Sequence, residues 1–534
     1  MRSLALALLM VATGLPASTG AFAQVPPPVV APDSVRVGPG EGEQVEAPIP
    51  KELTFIGYSL TRGTASNVTP TNDLLQGQVI GRLFGPNTTE TVDRAATYVE
   101  QRFVPFFVYR PKILDGYATF RGLFKIDYTW GDQAYGVGNN RGGAISGGQI
   151  NLQTLMANVD IRPSPRYNVV IGLQRMFDGA RDPNITPLET FQESGYKLAF
   201  WGTQAVGVSA FANVTPATRA RLGVFQLWEN QISRDDDVIL AMADVEHLVA
   251  PGLELGADVW YVSDRAQGAG GISVLGQGLN SLLAAYNGAT RLDLPQNYRA
   301  NLFWTGARAS YNRGFAVGNW WADAFAIANL GAIDAPGPDD ADVLGLAANA
   351  RVAYRYGRTA GDHVMAEALF TTGDEDGVED GTVNSVITGN VYGSPVGIYT
   401  TGRALLLFPD AQVVNRYYSL VHDISNQGLG VTGLFASVSR DLIPNRFTAK
   451  LGAATAFAGA ALPGGGRYMG TEINAEVTYD LKVFLTLGLH AGYVALGDFY
   501  DAPGSTYCPP TADCAEVTPD NPWVVFTTLS WLMF

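Results

Sequence analysis

The chain is divided into many extended segments of similar length, each bounded by Gly, Pro, Asn or Asp. Segments of roughly 8 to 19 residues with such boundaries are typical of β-strands. Past the N-terminus, no uninterrupted apolar run reaches the roughly 20 residues that a membrane-spanning helix needs. The pattern predicts eighteen strands, near 75–84, 95–110, 112–130, 149–162, 166–177, 196–213, 218–229, 237–249, 252–263, 298–312, 315–330, 343–357, 361–371, 427–440, 445–458, 467–479, 482–496 and 523–534.

The composition agrees with strands and turns. Hydrophobic residues make up 47% of the chain, which excludes intrinsic disorder. Only 16% of the residues are charged, against roughly 25% in ordinary soluble domains. Aromatic residues contribute 11% and glycine 61 of 534 positions, so strand formers and turn formers are both abundant.

The connections between the segments alternate in length. Long ones reach 264–297, 372–426 and 497–522. Short turns on one side and long loops on the other are typical of outer-membrane barrels. The sequence therefore predicts an all-β fold, a transmembrane antiparallel β-barrel of about 18 strands (range 16–18) in the bacterial outer membrane. The short connections lie at 111, 163–165, 214–217, 250–251, 313–314, 358–360, 441–444 and 480–481.

Several segments alternate between polar and apolar residues, as a strand between lipid and a polar lumen must. In the third segment, one face carries Thr119, Arg121, Lys125, Asp127 and Thr129, and the other carries large apolar and aromatic residues. The sheet must close, because unpaired backbone groups are not tolerated in hydrocarbon. The alternation slips near Thr154, which predicts a β-bulge.

The N-terminal region divides into two predicted parts that precede the barrel. Residues 1–23 have a basic start, an apolar run and the cleavage pattern Ala21-Phe22-Ala23, which predicts a secretory signal peptide. Residues 24–60 are rich in Pro and acidic residues and predict a flexible periplasmic leader. The barrel is predicted to occupy residues 61–534.

Three further features limit the chemistry. Cys508 and Cys514 are the only cysteines, and export predicts a disulfide between them. The net charge of −15 argues against a nucleic-acid partner. We predict no cofactor and no metal site. Calcium in the acidic loop 372–381 is an alternative, but a solvated loop is the better interpretation because the calcium-loop spacing of an EF-hand is missing.

Short motifs resemble the alginate-export family of Gram-negative outer-membrane barrels. They are NVVIGLQRMFDGARD (168–182), TGDEDGVEDG (372–381), and GTEINAEVTYDL followed by GDFYD (497–501). The resemblance implies a monomeric barrel with an Arg-lined lumen for an anionic polysaccharide and with loops that gate it. It also makes Arg175 a pore-lining candidate, although the family's Arg is displaced here. The aromatic end at Phe534 resembles the signal read by the barrel-assembly machinery.

Strand parity places other charged residues in the lumen. Arg121, Lys125, Asp127, Arg351 and Arg355 are expected to line the pore, and guanidinium groups there would pair transiently with anions. The other interpretation is that lumen bases pair with lumen acids and keep the pore wet. The acids concerned are Asp258, Asp323, Glu367, Glu472 and Glu476.

The long connection 372–426 contains the apolar run Ala404–Phe408, which a solvated loop would not need. We therefore expect part of it to fold into the barrel mouth as a plug. An enzyme is not expected, because His422 and Ser425 are three residues apart and would lie on opposite faces of a strand.

The predicted function is a passive outer-membrane channel for an anionic or polar polysaccharide or smaller solutes, surrounded by outer-membrane lipid. A general small-solute porin and a loop-based receptor or adhesin remain alternatives. Ion selectivity and the choice between monomer and trimer stay open.

Overall fold

The computed structural model describes residues 52–70, 79–84, 89–131, 151–176, 179–184, 203–229, 231–267, 297–335, 340–387, 403–410, 412–422, 424–506 and 519–533. The predicted signal peptide, residues 24–51 of the predicted leader, both cysteines and Phe534 lie outside these residues. Within them, no helix is long and apolar enough to cross a membrane. The described helices are the short 3-10 helices Lys112–Leu114, Arg313–Phe315 and Asp498–Asp501.

Strands dominate the described chain. The first eleven are β1 (Leu53–Pro70), β2 (Val79–Arg82), β3 (Thr89–Tyr109), β4 (Ala118–Thr129), β5 (Asn151–Ser164), β6 (Tyr167–Met176), β7 (Thr203–Thr215), β8 (Thr218–Trp228), β9 (Val238–Ala250), β10 (Leu253–Asp264) and β11 (Arg299–Tyr311). The others are β12 (Trp320–Asp334), β13 (Ala341–Arg355), β14 (His363–Thr371), β15 (Thr382–Val383), β16 (Arg416–Ser419), β17 (Val431–Ile443), β18 (Phe447–Ala458), β19 (Tyr468–Lys482), β20 (Leu485–Leu496) and β21 (Trp523–Met533).

Eighteen of these strands form the wall of a closed antiparallel barrel, as the sequence predicts. Each wall strand pairs with the next along the chain, and β1 pairs with both β3 and β21, so no edge is left open. Closure is what allows a sheet to span hydrocarbon, because every ladder donor and acceptor finds a partner. The remaining strands β2, β15 and β16 do not belong to the wall.

The two ends of the barrel differ as predicted. The connections 110–117, 165–166, 216–217, 251–252, 312–319, 356–362, 444–446 and 483–484 are short and share one end, called here the short-turn end. The other end, called the long-loop end, carries the long connections. In outer-membrane barrels the short turns face the periplasm.

The two faces of each wall strand carry different side chains. On β13, Leu344, Leu346 and Val352 are exposed outward, whereas Asn349 and Arg351 on the opposite parity are buried inward. Side chains of successive strand residues point to opposite faces, so this alternation produces an apolar exterior around a polar lumen.

Exposed aromatic side chains mark both rims of the apolar exterior. Trp130, Phe370, Phe457 and Tyr493 lie near the long-loop end. Aromatic rings at these two levels are typical of the two membrane–water interfaces. Those at the short-turn end include Tyr109, Tyr117, Tyr167, Tyr311, Trp320, Tyr354 and Tyr356.

The structure corrects one predicted strand and one predicted boundary. The prediction that the first wall strand lies near 75–84 is wrong, because the first wall strand is β1. β1 begins at Leu53, before the predicted barrel start at residue 61. Its second half, from Gly63 to Pro70, is built from small and polar residues, so its sequence lacks the apolar alternation of a lipid-facing strand. Residues 79–82 form the short strand β2 instead.

The other predicted strands each overlap a wall strand, and the predicted bulge is confirmed. The register between β4 and β5 shifts by one residue, since Leu123 pairs with Met156 and Phe124 with Thr154. The extra residue, Leu155, is buried together with Met156.

Candidate functional site: the barrel lumen

Buried charged side chains cover the inward face of the wall. They alternate with outward apolar residues, so strand parity alone directs them into the lumen. No group of three His, Cys, Asp or Glu residues suited to a metal ion occurs among the described residues. The wall residues include Arg62, Glu100, Arg102, Arg121, Lys125, Asp127, Asp160, Arg221, Asp244, Glu246, Asp258, Arg351, Glu367 and Glu472.

The three candidates on β4 all lie in this buried layer and have partners. Arg121 contacts Asp182 at 3.1 Å and Asn158 at 2.9 Å. Asp127 receives two hydrogen bonds of 2.8 Å from the guanidinium of Arg102. The ammonium of Lys125 lies 3.6 Å from the same carboxylate. These bases therefore meet wall or loop acids rather than an open lumen.

The two candidates on β13 occupy different environments. Arg351 forms a buried two-bond pair with Asp323 and lies over the ring of Trp321. Arg355 lies at the short-turn end, where its guanidinium donates to the carbonyl of Gly318 and the side chain of Asn319. Arg355 thus fastens a turn, whereas Arg351 belongs to the lumen layer.

Two candidates contact residues that do not belong to the wall. The carboxylate of Glu367 accepts a 2.7 Å hydrogen bond from Arg403. Arg175, at the end of β6, donates through its backbone N–H to Asn184 at 3.0 Å. Both positions hold a loop segment against the lumen face.

Glu472 and Glu476 lie on the same face of β19 but have different partners. Glu472 accepts backbone hydrogen bonds from Leu405, Leu406 and Leu407 at 2.7, 3.0 and 2.7 Å. Glu476 instead pairs with wall residues, Lys450 on β18 and His490 on β20. Only the first therefore binds a loop.

Residues 403–410 and 412–422, called here the strap, lie inside the barrel. This segment belongs to the long connection predicted to contain a plug. It is almost entirely buried, and Leu405, Leu406, Leu407 and Phe408 join one apolar cluster with inward wall residues. The aromatic ring of Phe408 packs edge-on against Phe435 of β17 at 4.9 Å.

Ionic and polar contacts fix the second half of the strap to another part of the wall, strands β1 and β3. Asp410 pairs with Arg62 of β1 at 2.7 Å. Arg102 of β3 donates to the carbonyl of Val414 at 2.9 Å. Arg416 pairs with Glu100 of β3 at 2.9 Å. With Arg403 at β14, the anchors extend from β14 round to β3, about half of the wall.

Two other segments also fold inward. Residues 179–184, called here the bridge, contact β4 through Asp182 and β9 through the N–H groups of Gly179 and Ala180. Farther round the wall, the carbonyl of Ile387 accepts from the indole of Trp304 on β11. The three inward segments together touch strands on every side of the lumen.

Several anchor residues were missed by sequence reasoning. Arg62 was missed because β1 itself was not predicted. Glu100 and Arg102 lie in a predicted strand, where the alternation of polar residues could have placed them in the lumen. Asp410 and Arg416 lie in a loop without periodicity, so no pattern could have placed them. Arg308, which bridges Glu246 and Asp258 at 3.1 and 2.8 Å, also lies within a predicted strand.

Ile424 and Ser425 lie in a turn, and His422 does not belong to a strand. Both ring nitrogens of His422 lack a hydrogen-bond partner among the described residues, Ser425 included. Burial lowers the pKa of His422 to about 4, so the ring is neutral at pH 7.

The acidic loop 372–381 is also structured: the carboxylate of Asp374 accepts hydrogen bonds from the N–H groups of Asp376, Gly377 and Asn384.

Comparison with known proteins gives structural similarity only. No family model matches the chain, and no curated protein is similar to it. The crystal structure of Pseudomonas aeruginosa OccK11 (OpdR) is 10% identical, with 90% of this chain and 96% of that chain covered and a TM-score of 0.43. Acinetobacter baumannii OccAB4 is 9% identical over 90% and 98%, with a TM-score of 0.44. Pseudomonas aeruginosa OccK2 (OpdF) in complex with glucuronate is 11% identical over 90% and 96%, also at 0.44.

The closed wall, apolar exterior and polar lumen define the class: this is a transmembrane β-barrel of the outer-membrane type. The location predicted from the sequence is thereby confirmed. The narrower resemblance to the alginate-export family stays a prediction.

Proposed function

We propose that this protein is a passive channel for small polar solutes, with a path narrowed by the strap. The observation that carries the proposal is the strap itself, anchored inside the lumen at β14, β19, β1 and β3. An empty barrel of 16 to 18 strands would leave a wide aqueous path. A strap whose anchors span about half of the wall would narrow that path and favour small solutes.

The same contacts make an anionic polymer the weaker candidate. An Arg-lined path needs guanidinium groups that exchange partners with a passing carboxylate. Here Arg351 already pairs with Asp323, and Arg102 with Asp127, each through two hydrogen bonds. Displacing a buried acid from such a pair is costly, because it leaves an uncompensated charge.

Replacing residues 404–421 by a short Gly-Ser linker tests the proposal. We expect the single-channel conductance in a planar bilayer to rise several-fold, and liposome swelling to extend from monosaccharides to larger oligosaccharides. Unchanged conductance and an unchanged size limit would contradict a narrowing strap.

A surface variant provides the matched control. Glu375→Gln with Arg467→Gln removes an exposed ion pair of 3.4 Å at the long-loop end without touching the strap. It should keep the wild-type conductance. Block by uronate oligomers at low concentration, with anion selectivity, would instead favour polysaccharide passage.

A further inference from the structure

Basic side chains are concentrated at the short-turn end of the barrel. In and beside the short turns, Asp115 is the one acidic residue among the described residues that is as exposed as these bases. The exposed bases are Arg110, Lys112, Arg162, Arg166, Arg313, Arg358, Arg440, Arg446 and Lys482.

Three acidic residues at this end accept hydrogen bonds from turn groups rather than from the bases. Asp362 accepts backbone N–H groups of Arg358, Thr359 and Asp441. Asp441 and Asp480 each accept a hydroxyl hydrogen bond of 2.6 Å, from Thr448 and Thr486. Carboxylates engaged in this way close the turns. Among the exposed bases, Arg162 pairs with Asp160 at 2.8 Å. Arg313 lies 4.0 Å from Asp323.

Three of these bases form what we call the basic sector: Arg440, Arg446 and Lys482. They flank the β17–β18 and β19–β20 turns, which are neighbours on the rim because β18 pairs with β19. Within the described part of the chain, none of the three forms an ion pair. Arg446 lies 5.2 Å from the ring centre of Tyr479.

Exposed apolar side chains occupy the same two turns. Leu442 is 53% exposed and Val483 is 74% exposed, with Ile443 and Leu481 beside them. Exposed aliphatic residues at the level of an aromatic belt mark the edge of the hydrocarbon, where lipid headgroups lie. A soluble partner would not account for aliphatic residues that continue the lipid-facing band.

We propose that the basic sector binds the phosphates of anionic glycerophospholipids in the leaflet that faces the short-turn end. Arg is suited to this because its planar guanidinium gives a phosphate two parallel hydrogen bonds. The acyl chains of the same lipid would lie against the apolar residues of the two turns. This site is independent of the lumen and of the proposed channel function.

Native mass spectrometry of the full chain released from mixed micelles tests the proposal. The micelles contain phosphatidylglycerol and phosphatidylcholine with identical acyl chains. We expect the wild type to retain phosphatidylglycerol preferentially, and the triple variant Arg440→Gln, Arg446→Gln, Lys482→Gln to lose that preference. Each charge removed should weaken retention about five-fold. Equal retention of the two lipids by the wild type would overturn the proposal.

A control variant removes the same charge from the other end. Arg94, Arg234 and Arg299 are exposed near the long loops, and their replacement by Gln should leave the lipid preference intact. A loss of preference equal to that of the sector variant would mean that net charge alone decides. If the sector variant does not fold, lipid retention by the wild type is measured at increasing salt instead. Retention should then fall, because the attraction between the bases and the headgroups is screened beyond about 10 Å at 0.1 M salt. Lipid retention that does not change with salt would also overturn the proposal.

Discussion

Glu472 illustrates how one wall side chain can hold a loop inside a barrel. Its carboxylate accepts hydrogen bonds from three successive backbone N–H groups of the strap and from the side-chain amide of Asn474. Hydrogen bonds to an ionised group are worth about 1.5–3 kcal/mol each. The negative charge is therefore what fixes the strap at β19.

Removing that charge should loosen the strap. We expect Glu472→Gln to increase current fluctuations and transient openings in single-channel recordings, because an amide accepts the three N–H groups only weakly. The matched control is Glu476→Gln, on the same strand face but bound to wall residues. Identical noise in both variants would show that the Glu472 contacts do not restrain the strap.

His422 gives the strap region a dependence on pH. Its pKa falls from 6.5 to about 4 through burial, so the folded protein resists a proton that the unfolded chain accepts. Above pH 6.5 the ring is neutral in both the folded and the unfolded chain, so it causes no loss of folding stability. As the pH falls from 6.5 to 4, only the unfolded chain binds the proton, and folding stability is lost. The loss approaches about 3 kcal/mol at the lower pH.

Replacing this residue should flatten that slope. We expect His422→Leu to lose less stability than the wild type between pH 6.5 and 4, measured as the urea midpoint in micelles by tryptophan fluorescence. His247→Leu, at an exposed position on β9, is the control and should retain the wild-type slope. Parallel slopes for the wild type and His422→Leu would contradict the assignment.

At the scale of elements, the strap and the wall strands are stabilised in different ways. A wall strand is held along its whole length by ladder hydrogen bonds to two neighbours. The strap is held to the wall at separate points, at Glu472, Arg62 and Glu100, and by the packing of its apolar run. Its strand β16 pairs with β2, which does not belong to the wall. It can therefore detach at one point without opening the barrel.

A disulfide tests this difference. A Cβ placed on Gly492 of β20 would lie 3.4 Å from the Cβ of Leu405, close to the separation in disulfides. We expect Leu405→Cys with Gly492→Cys to crosslink strap and wall under oxidation and to suppress the fluctuations caused by Glu472→Gln. Reduction should restore them, while the single cysteine variants serve as controls. Fluctuations that persist in the oxidised form would place their origin outside the strap.

At the scale of the whole molecule, charge is distributed unequally between the two ends. The net charge is −15, and acidic residues accumulate in the long connections. Examples are Asp235, Asp236 and Asp237 after β8 and the cluster from Asp374 to Asp380. Because most lumen bases are paired with acids, the mouth at the long-loop end sets the field that an ion meets first.

This distribution predicts cation selectivity. In a KCl gradient the reversal potential should indicate preference for K⁺, and the preference should decline as salt rises and screens the acidic mouth. Neutralising Asp235, Asp236 and Asp237 to Asn should reduce it. Anion selectivity of the wild type would show that the lumen bases, not the mouth, control permeation.

The sequence predicts the wall well because the signals that define it are local. Alternation on β4 and β13 and turn residues between the strands are readable within about ten residues. β1 was misplaced because Gly63, Ser66 and Asn67 give its second half no such alternation. Its place in the barrel depends on pairing with β21, at the far end of the chain.

The amino-acid sequence by itself determines a closed outer-membrane barrel, its two unlike ends, and which residues of most strands face the lumen. Only the tertiary structure decides what those residues meet. Arg62 and Asp410 are 348 positions apart, and Glu472 is more than sixty positions from the N–H groups that it binds. Such contacts leave no local period in the sequence, because they arise when barrel closure brings distant strands around a loop that has folded inward.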